Sequence, residues 1–379
     1  SLGVDAIWLS PFQKSPMRDF GYDVSDYCDV DPLFGTLNDF DDFVNAAHEH
    51  DIKVIIDMVL SHTSDQHDWF KESRQNATNP KADWYVWQAP QKDGTPPNNW
   101  LSVFGGSAWQ YCSHRGQYYL HNFLVSQPDL NLHNTDVQDA VLDACEFWLK
   151  RGVDGFRLDA ISHFFHSLGL ENNPAADHNL CTNQLEHTDP YNMQLHKYDK
   201  DTQKIMPFLK RIRQLMDKYD ARMTVGEVSE DDSLGAAARY TYGTDMLNTC
   251  YNFSHLGGQS KKLTVDLIAD PIKKYNSIES RGWPAWAFCN HDVVRVASRW
   301  GQQNDGETNP QFTKMLIALL TCLQGTVFIY QGEELGLPEA ELAFEDLQDP
   351  WGIYLYPKWQ GRDGCRTPMI WSNDAETNY

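Results

Sequence analysis

Acidic, basic and imidazole side chains cluster near the ends of several apolar segments in this sequence. In chain order they are Asp57 and His62, Arg157 and Asp159, Glu227, and His291 with Asp292. If each apolar segment is a strand of a parallel barrel, these strand ends converge on one face, where such barrels carry their active sites. Four strands that end in polar groups indicate a functional site far more strongly than any one of them alone.

Asp159 and Glu227 are candidates for paired-carboxylate chemistry. Cleavage of a glycosidic bond needs one carboxylate behind the anomeric carbon and one acid beside the leaving oxygen. In a retaining enzyme the two carboxyl groups lie roughly 5 Å apart, which neighbouring barrel strands can provide. Arg157 lies two residues before Asp159, so both side chains leave the strand on the same side. The cation could hold Asp159 ionised, although a structural Arg–Asp pair would share this spacing.

The elements that must position these residues alternate between amphipathic helices and short apolar strands. The spacing of Phe40, Val44 and Ala47 predicts a helix, with Asn38 as its N-cap, before an apolar strand. Strands are predicted at 6–11, 53–59, 155–159, 224–228, 248–253, 285–290 and 326–330. Repeated helix–strand units predict the α/β class and a (β/α)₈ TIM barrel. Since a closed barrel has eight strands, we expect the first strand to precede Ser1.

One connection departs from this alternation. Between residues 61 and 126 the chain is rich in Trp, Tyr, Asn, Pro and Gly, and it contains no clear helix–strand unit. A long irregular connection of this kind is usually a functional insertion or a small domain. The sequence therefore predicts a barrel domain over 1–60 and 127–379, with a subdomain at 61–126 inserted after the third barrel strand.

Composition narrows the partners and the location. The net charge of −22 argues against nucleic acid or an anionic membrane as a partner, because both bind basic surfaces. No segment is long and apolar enough to predict a membrane span. The 8 cysteines form no CxxC pair, which argues against zinc and redox motifs. Many of them lie in apolar runs, where a thiol acts as a small hydrophobe, so we expect a reducing, cytoplasmic location. The chain opens like the tail of a helix, which favours a fragment, and a signal peptide before Ser1 stays an open alternative.

Several segments together resemble the signature regions of the α-amylase family, glycoside hydrolase family 13. These segments are Asp57–His62, Gly155–Asp159, Gly226–Glu227 and Asn290–Asp292. Gln127–Asn131 and Gly361–Met369 resemble further hallmarks of its oligo-1,6-glucosidase and α-glucosidase branch. The resemblance covers essentially the whole chain. It implies a barrel enzyme that acts on α-glucosidic bonds of a small sugar substrate.

The resemblance also implies a role for each matching residue. Asp159 corresponds to the nucleophile, Glu227 to the general acid/base, and Asp292 to a third carboxylate that binds sugar hydroxyls. The residues that match the shell around the terminal glucose are Tyr22, which would stack on the sugar, and His62, Arg157 and His291. Asp19 is expected to pair with Arg362 and to close the pocket behind one glucose unit, which would make the enzyme exo-acting on maltose and short oligosaccharides.

Two positions and one missing segment qualify this resemblance. Ser61 stands where the family usually has Asn, a departure that concerns one supporting hydrogen bond and leaves the expected chemistry unchanged. Ala160 follows the nucleophile, where similar α-1,6 enzymes usually carry Val and α-1,4 enzymes carry Ala or Thr; it therefore favours α-1,4 bonds, unless it is only a packing variant. No cofactor is implied, and the calcium loop of many relatives would lie upstream of Ser1.

Other functions remain open at this point. An oligo-1,6-glucosidase, a transglucosylase, a sucrose isomerase and a trehalose synthase of the same family would share these carboxylates. A non-enzymatic relative such as the family's amino-acid-transporter subunits, or a barrel that only binds sugar, belongs to a different class. The three carboxylates favour an enzyme over both, and an assay with an aryl α-glucoside would distinguish these classes.

Overall fold

A computed structural model describes residues 2–176, 189–200, 202–230, 232–256, 263–301 and 308–371. The chain divides into two compact units. Unit 1 contains the described residues up to 176, those of 190–229, and 243–248, and unit 2 contains the other described residues.

Unit 1 alternates between strands and helices, as the sequence predicts. Its strands are β1 (Ala6–Leu9), β2 (Gln13–Lys14), β3 (Asp26–Val30), β4 (Lys53–Met58), β5 (Trp87–Gln88), β6 (Trp109–Cys112), β7 (Gln117–Leu120), β8 (Gly155–Leu158) and β9 (Met223–Val228). Its helices are α1 (Leu37–Glu49), α2 (Asp68–Ser73), α3 (Thr135–Lys150) and α4 (Thr202–Met216). Strands β1, β4, β8 and β9 pair in parallel in that order.

The register of this parallel sheet brings the catalytic candidates together. Asp57 on β4 is the register partner of Arg157 on β8. Leu158, the last residue of β8, is the partner of Gly226 on β9, so Asp159 and Glu227 each come next on adjacent strands. Because parallel strands end at the same edge of a sheet, these side chains share one edge.

Helix α1 corrects one sequence prediction. Its N-cap is Thr36 and not Asn38, which lies inside the helix. The backbone N–H of Asp39 donates to the Thr36 hydroxyl, and the Asp39 carboxylate accepts from the Thr36 backbone N–H at 2.8 Å. This reciprocal capping box satisfies two backbone donors at once.

The predicted inserted segment has its own small sheet and core. Strands β5, β7 and β6 form an antiparallel sheet in that order. A hydrophobic cluster within this segment contains Val86, Trp100, Ala108, Trp109 and Leu120. The sheet and the cluster therefore pack within the segment itself. The domain boundaries at 61 and 126 stay a prediction.

Unit 2 continues the alternation. It contains α5 (Ser233–Thr241), β10 (Thr249–Asn252), α6 (Val265–Ser277), β11 (Trp283–Ala287), α7 (Val296–Gly301), α8 (Pro310–Thr321), β12 (Thr326–Phe328) and α9 (Pro350–Leu355). Strand β11 pairs in parallel with β10 and with β12. His291 and Asp292 follow β11 in the connection to α7.

The seven predicted strands are all present among the described residues, as β1, β4, β8, β9, β10, β11 and β12. Their ends differ from the predicted ends by up to three residues, which is common where a strand leaves its ladder. The expectation of an eighth strand before Ser1 lies outside the chain and stays a prediction.

Candidate active site

A single buried guanidinium connects three carboxylates in unit 1. Arg157 Nη1 donates to Asp57 Oδ1 at 2.9 Å and contacts Asp159 Oδ1, while Nη2 donates to Glu227 Oε2 at 2.6 Å. Arg157 is fully buried, and Asp159 and Glu227 are each 7% exposed. The structure therefore brings together three of the residues predicted for the site, with Asp57 as a fourth member.

Asp57 links this cluster to two aromatic side chains. Its Oδ2 accepts from the Tyr22 hydroxyl at 3.0 Å and from Trp8 Nε1 at 3.3 Å, in addition to Arg157. Burial raises the pKa of Asp57 to about 6, and the adjacent Arg157 cation opposes that rise. The Arg157 guanidinium also lies 5.0 Å from the centre of the Trp8 ring, a cation–π distance. These contacts limit the orientations that Arg157 can adopt.

Asp159 and Glu227 are arranged for paired-carboxylate chemistry. Both contact terminal nitrogens of the same planar guanidinium, which places the two carboxyl groups close together. Glu227 Oε2 also accepts from the backbone N–H of Ala160 at 3.1 Å. Ala160 has φ 43° and ψ 45°, a left-handed conformation that turns the chain immediately after Asp159.

His62 is a neutral hydrogen-bonding residue in this structure. Its Nδ1 lies 2.9 Å from Ser61 Oγ, and its Nε2 lies 3.1 Å from the Tyr22 carbonyl oxygen and 3.2 Å from Gln127 Nε2. Because a carbonyl can only accept, the assigned tautomer carries its proton on Nε2, and the Ser61 hydroxyl then donates to Nδ1. Burial lowers the pKa of His62 to about 4, which keeps the ring neutral near pH 7.

Asp19 lies in the same part of unit 1. Its Oδ2 accepts from Gln127 Nε2 at 2.9 Å, and the residue is 4% exposed. The amide oxygen of Gln127 accepts from the Leu124 backbone N–H at 2.9 Å, which fixes which end of the amide faces Asp19. Gln127 therefore donates to Asp19, and its amide nitrogen only adjoins His62 Nε2, because both of those nitrogens are donors in this tautomer.

In unit 2, Asp292 is held by two arginines. Its Oδ1 accepts from Arg362 Nη1 at 3.0 Å and from Arg366 Nη2 at 2.8 Å. His291 Nε2 lies 3.4 Å from Asp292 Oδ2, and the His291 carbonyl accepts from Arg366 Nε at 2.7 Å. The structure thus brings together the three site residues predicted in this unit.

Arg362 is itself fixed by a buried carboxylate. Asp349 accepts from Arg362 Nε at 3.0 Å, from Nη2 at 2.8 Å and from the Arg362 backbone N–H at 2.7 Å. Burial would raise the pKa of Asp349, but these hydrogen bonds and the Arg362 charge outweigh burial and hold that pKa below its usual value. Asp19 and Arg362 belong to different units, and their expected pairing stays a prediction.

Sequence reasoning missed several members of these clusters. Trp8 and Gln127 in unit 1, and Asp349 and Arg366 in unit 2, were not predicted as site residues, and Asp57 was named at a strand end without a role of its own. Asp57 and Gln127 lie within recognised motifs, and Arg366 lies in the same motif as Arg362, so membership of a motif was an available signal. Nothing in the sequence around Trp8 or Asp349 indicates their contacts.

Two further properties concern metals and membranes. Among the described residues, no group of three or more His, Cys, Asp or Glu side chains is placed to hold a metal ion. The calcium site expected upstream of Ser1 lies outside the chain and stays a prediction. In the part of the chain that the structure describes, no helix has both the length and the apolar character needed to cross a membrane.

Comparisons with known proteins all match this chain to α-amylase catalytic domains and α-glucosidase-type enzymes. The family model described as "Alpha amylase, catalytic domain" matches residues 1–379. A probable alpha-glucosidase of Rhizobium meliloti is 55% identical over 375 residues, which cover 98% of this chain and 67% of that protein. An oligo-1,6-glucosidase of Heyndrickxia coagulans is 37% identical over 415 residues, covering 100% of this chain and 71% of that protein.

A solved structure shows the same similarity in three dimensions. The crystal structure of an alpha-glucosyl transfer enzyme superposes with a TM-score of 0.95 at 53% sequence identity. The match covers 100% of this chain and 70% of that chain. Together with the family model, this similarity confirms the predicted fold class, the TIM barrel of α-amylase catalytic domains.

Proposed function

The chain belongs to the family of α-amylase catalytic domains, and from that membership we propose that it is an exo-acting, retaining α-glucosidase with Asp159 as nucleophile and Glu227 as general acid/base. It is a glycoside hydrolase with α-glucosidases and oligo-1,6-glucosidases among its relatives. The roles of individual residues and the preferred glycosidic bond are our proposals beyond that enzyme class. The observation that carries the proposal is the contact of both carboxylates with the Arg157 guanidinium.

In the first chemical step, an Asp159 carboxylate oxygen attacks the anomeric carbon while the bond to the leaving sugar oxygen breaks. Glu227, in its protonated form, gives its proton to that oxygen. A β-linked glycosyl ester on Asp159 and a free leaving sugar result. The Arg157 cation keeps Asp159 ionised before attack and orients the attacking oxygen.

In the second step, a water molecule attacks the anomeric carbon from the face that the leaving sugar has vacated. Glu227, now ionised, takes the proton from this water, and the ester bond to Asp159 breaks. Esterification removes the negative charge of Asp159, so the Arg157 cation then interacts more strongly with Glu227. That change favours the ionised Glu227 that the second step requires.

The two-step mechanism depends on the separation of the carboxyl groups. Retaining enzymes have about 5 Å between them, and inverting enzymes have about 6.5 Å or more because a water must fit between. Two carboxylates that both contact one guanidinium favour the shorter separation. This arrangement supports retention of the α configuration.

We also propose that the enzyme binds one terminal glucose. Tyr22 offers an aromatic face for the sugar, and His62, whose Nε2–H donates to the Tyr22 carbonyl, lies beside it in the same glucose site. Asp19 with its partner Gln127 would bind hydroxyls at the far side of that glucose. The roles that resemblance implies for His291, Asp292 and Arg362 belong to this same proposal.

The expected preference for α-1,4 bonds rests on Ala160. Ala160 lies next to both catalytic carboxylates in the chain and in space, since it follows Asp159 and its backbone N–H donates to Glu227. A larger side chain would reshape the space for the leaving sugar. The effect on linkage should be modest, because methyl-scale changes discriminate by ~1–3 kcal/mol.

Transfer of glucose to another sugar is a second candidate function. The alpha-glucosyl transfer enzyme at 53% identity supports this alternative. Both functions share the glycosyl ester and differ only in whether water or a sugar hydroxyl attacks it. The product distribution at high sugar concentration therefore distinguishes them.

The remaining parts of the proposal concern cofactor, partner and location. The two carboxylates and water suffice for the reaction, so no cofactor is required. A small neutral sugar suits a chain with a net charge of −22, and nucleic acid does not. Free thiols at the seven described cysteines support a cytoplasmic location.

The test is the stereochemistry of hydrolysis. The purified protein should release glucose from maltose and from 4-nitrophenyl α-glucoside, and proton NMR should show α-glucose as the first-formed anomer. First-formed β-glucose would contradict the retaining mechanism. Cleavage of internal starch bonds without glucose release would contradict the exo-acting pocket, and lack of turnover on every α-glucoside would contradict the function itself.

A further inference from the structure

The carboxylate of Asp23 collects donors from the turn formed by residues 15–22, which we call the Asp19 turn. Its Oδ1 accepts from Ser15 Oγ at 2.9 Å and from the Asp19 backbone N–H at 3.1 Å. Its Oδ2 accepts from the Arg18 backbone N–H at 3.1 Å. Asp23 is completely buried, so these three bonds compete with little solvent.

The Asp19 turn has a strained backbone. Met17 has φ 57° and Phe20 has φ 51°, both in the left-handed region that residues with a Cβ rarely adopt. Gly21 follows at φ 99°, and a Cβ at this position would lie 2.7 Å from the Pro11 carbonyl oxygen. Strain of this kind persists only where surrounding contacts hold the backbone in place.

The strained turn carries two residues of the proposed glucose site. The Tyr22 hydroxyl donates to Asp57, and the Tyr22 carbonyl faces His62. Asp19 accepts from Gln127. A small rotation of the turn would move Asp19 and Tyr22 together, because the Tyr22 backbone N–H donates to the Asp19 carbonyl at 2.9 Å.

We propose that Asp23 is a positioning residue that sets recognition of the terminal glucose by holding the Asp19 turn in its strained conformation. Asp23 acts through Asp19 and Tyr22 and does not itself contact the sugar. The proposal rests on the proposed α-glucosidase function for its consequence in catalysis. The hydrogen bonds of Asp23 to the turn can be tested without that function.

The variant Asp23→Asn tests this role. It keeps the side-chain volume but replaces one acceptor oxygen by an amide that faces a backbone N–H. We expect kcat/KM for 4-nitrophenyl α-glucoside to fall about 10- to 100-fold, because displacement of a binding group by about 1 Å costs on that order. Ser15→Ala should show a smaller loss, and Ser15→Thr, which restores a hydroxyl, should recover most of it.

A double-mutant cycle separates positioning from a general structural role. If Asp23 acts through Asp19, Asp23→Asn should cost at least threefold less in an Asp19→Ala background than in the wild type. An equal loss in both backgrounds would overturn the proposal. Arg18→Ala is the matched control, because it removes only an exposed ion pair of the same turn with Asp65 and should leave kcat/KM unchanged.

Hydrogen exchange gives a second readout that does not need turnover. The backbone amides of Arg18 and Asp19 should exchange at least tenfold faster in Asp23→Asn than in the wild type, while Arg18→Ala should leave the Asp19 amide unchanged. Unchanged exchange in Asp23→Asn would overturn the proposal even if the wild type hydrolyses α-glucosides. If Asp23→Asn exchanges faster but the wild type hydrolyses no α-glucoside, the result counts only against the proposed function.

Discussion

Arg157 donates from Nη2 to Glu227 Oε2 at 2.6 Å, although the two residues lie 70 positions apart in the chain. The other terminal nitrogen of the same guanidinium contacts Asp159 and Asp57. Loss of one of these contacts would change the electrostatic interaction of Arg157 with the remaining carboxylates. Asp159 and Glu227 are therefore coupled electrostatically, and under the proposed roles their variants should differ in kind as well as in size of effect.

Glu227→Gln should separate substrates by the quality of their leaving groups. The amide cannot donate a proton, so kcat/KM on maltose should fall about 10²- to 10⁴-fold. An activated aryl α-glucoside needs less proton transfer, and its kcat/KM should fall at least tenfold less. Steady-state kinetics on both substrates checks this, with the surface variant Glu146→Gln as control. Equal losses on the two substrates would argue against the acid role.

Asp159→Asn should abolish turnover while sugar binding stays measurable, because a neutral amide cannot form the glycosyl ester. Less than about 1% of wild-type kcat is expected on any α-glucoside. Asp159→Ala provides a sharper measurement, since added azide can enter the vacated space and should yield β-glucosyl azide. Substantial residual activity in freshly purified Asp159→Asn, or α-glucosyl azide from Asp159→Ala, would count against the assignment.

Ala160→Val should shift specificity and cost stability together. The ratio of kcat/KM for isomaltose to that for maltose should rise about 10-fold, in keeping with a methyl-scale change. Because Ala160 has φ 43°, a β-branched residue there should also lower the free energy of unfolding, by about 1–2 kcal/mol. Ala160→Gly is the matched control, and it should preserve the ratio without that loss. A wild type that already prefers isomaltose would contradict the Ala160 argument alone.

Buried histidines should make part of the stability depend on pH. Burial lowers the pKa of His121 to about 4, whereas the unfolded chain titrates near 6.5. Between these values the unfolded state binds more protons, so the stability contributed by neutral His121 is present above about pH 6.5 and is lost as pH falls toward 4. For one histidine the loss is at most about 3 kcal/mol.

The measurement is the difference in unfolding free energy between the wild type and His121→Asn from pH 4 to 8. Asn can keep the contact of His121 Nδ1 with the Phe123 carbonyl, which is 3.0 Å long. The stability advantage of the wild type should be largest at pH 7 to 8 and should shrink at pH 4. The exposed His114→Asn should show no such trend. Comparing two variants is necessary because burial raises the pKa of Glu333 to about 7, which acts with the opposite sign.

The sequence by itself determined the alternation of helices and strands and the chemical character of the strand ends. Apolar runs of four to six residues between amphipathic segments have few other folded solutions, because buried parallel strands need helices to cover them. Motif composition also indicated Asp159, Glu227 and Arg157 as candidate site residues, since residue type and order along the chain are enough to recognise a motif. Local signals were less decisive for the start of α1, where both Thr36 and Asn38 are residue types that can cap a helix. Thr36 is the N-cap because it forms a reciprocal pair of hydrogen bonds with Asp39.

The tertiary structure decided which of the many polar residues touch. Asp57 becomes the partner of Arg157 only because β4 and β8 pair in one register, and the two residues lie 100 positions apart. The hydrogen bonds of Asp23 to the Asp19 turn likewise depend on left-handed residues that no spacing rule indicates. Such contacts are set by strand register and by the path of loops, which arise from packing of the whole domain, whereas residue type and periodicity are local properties of the chain.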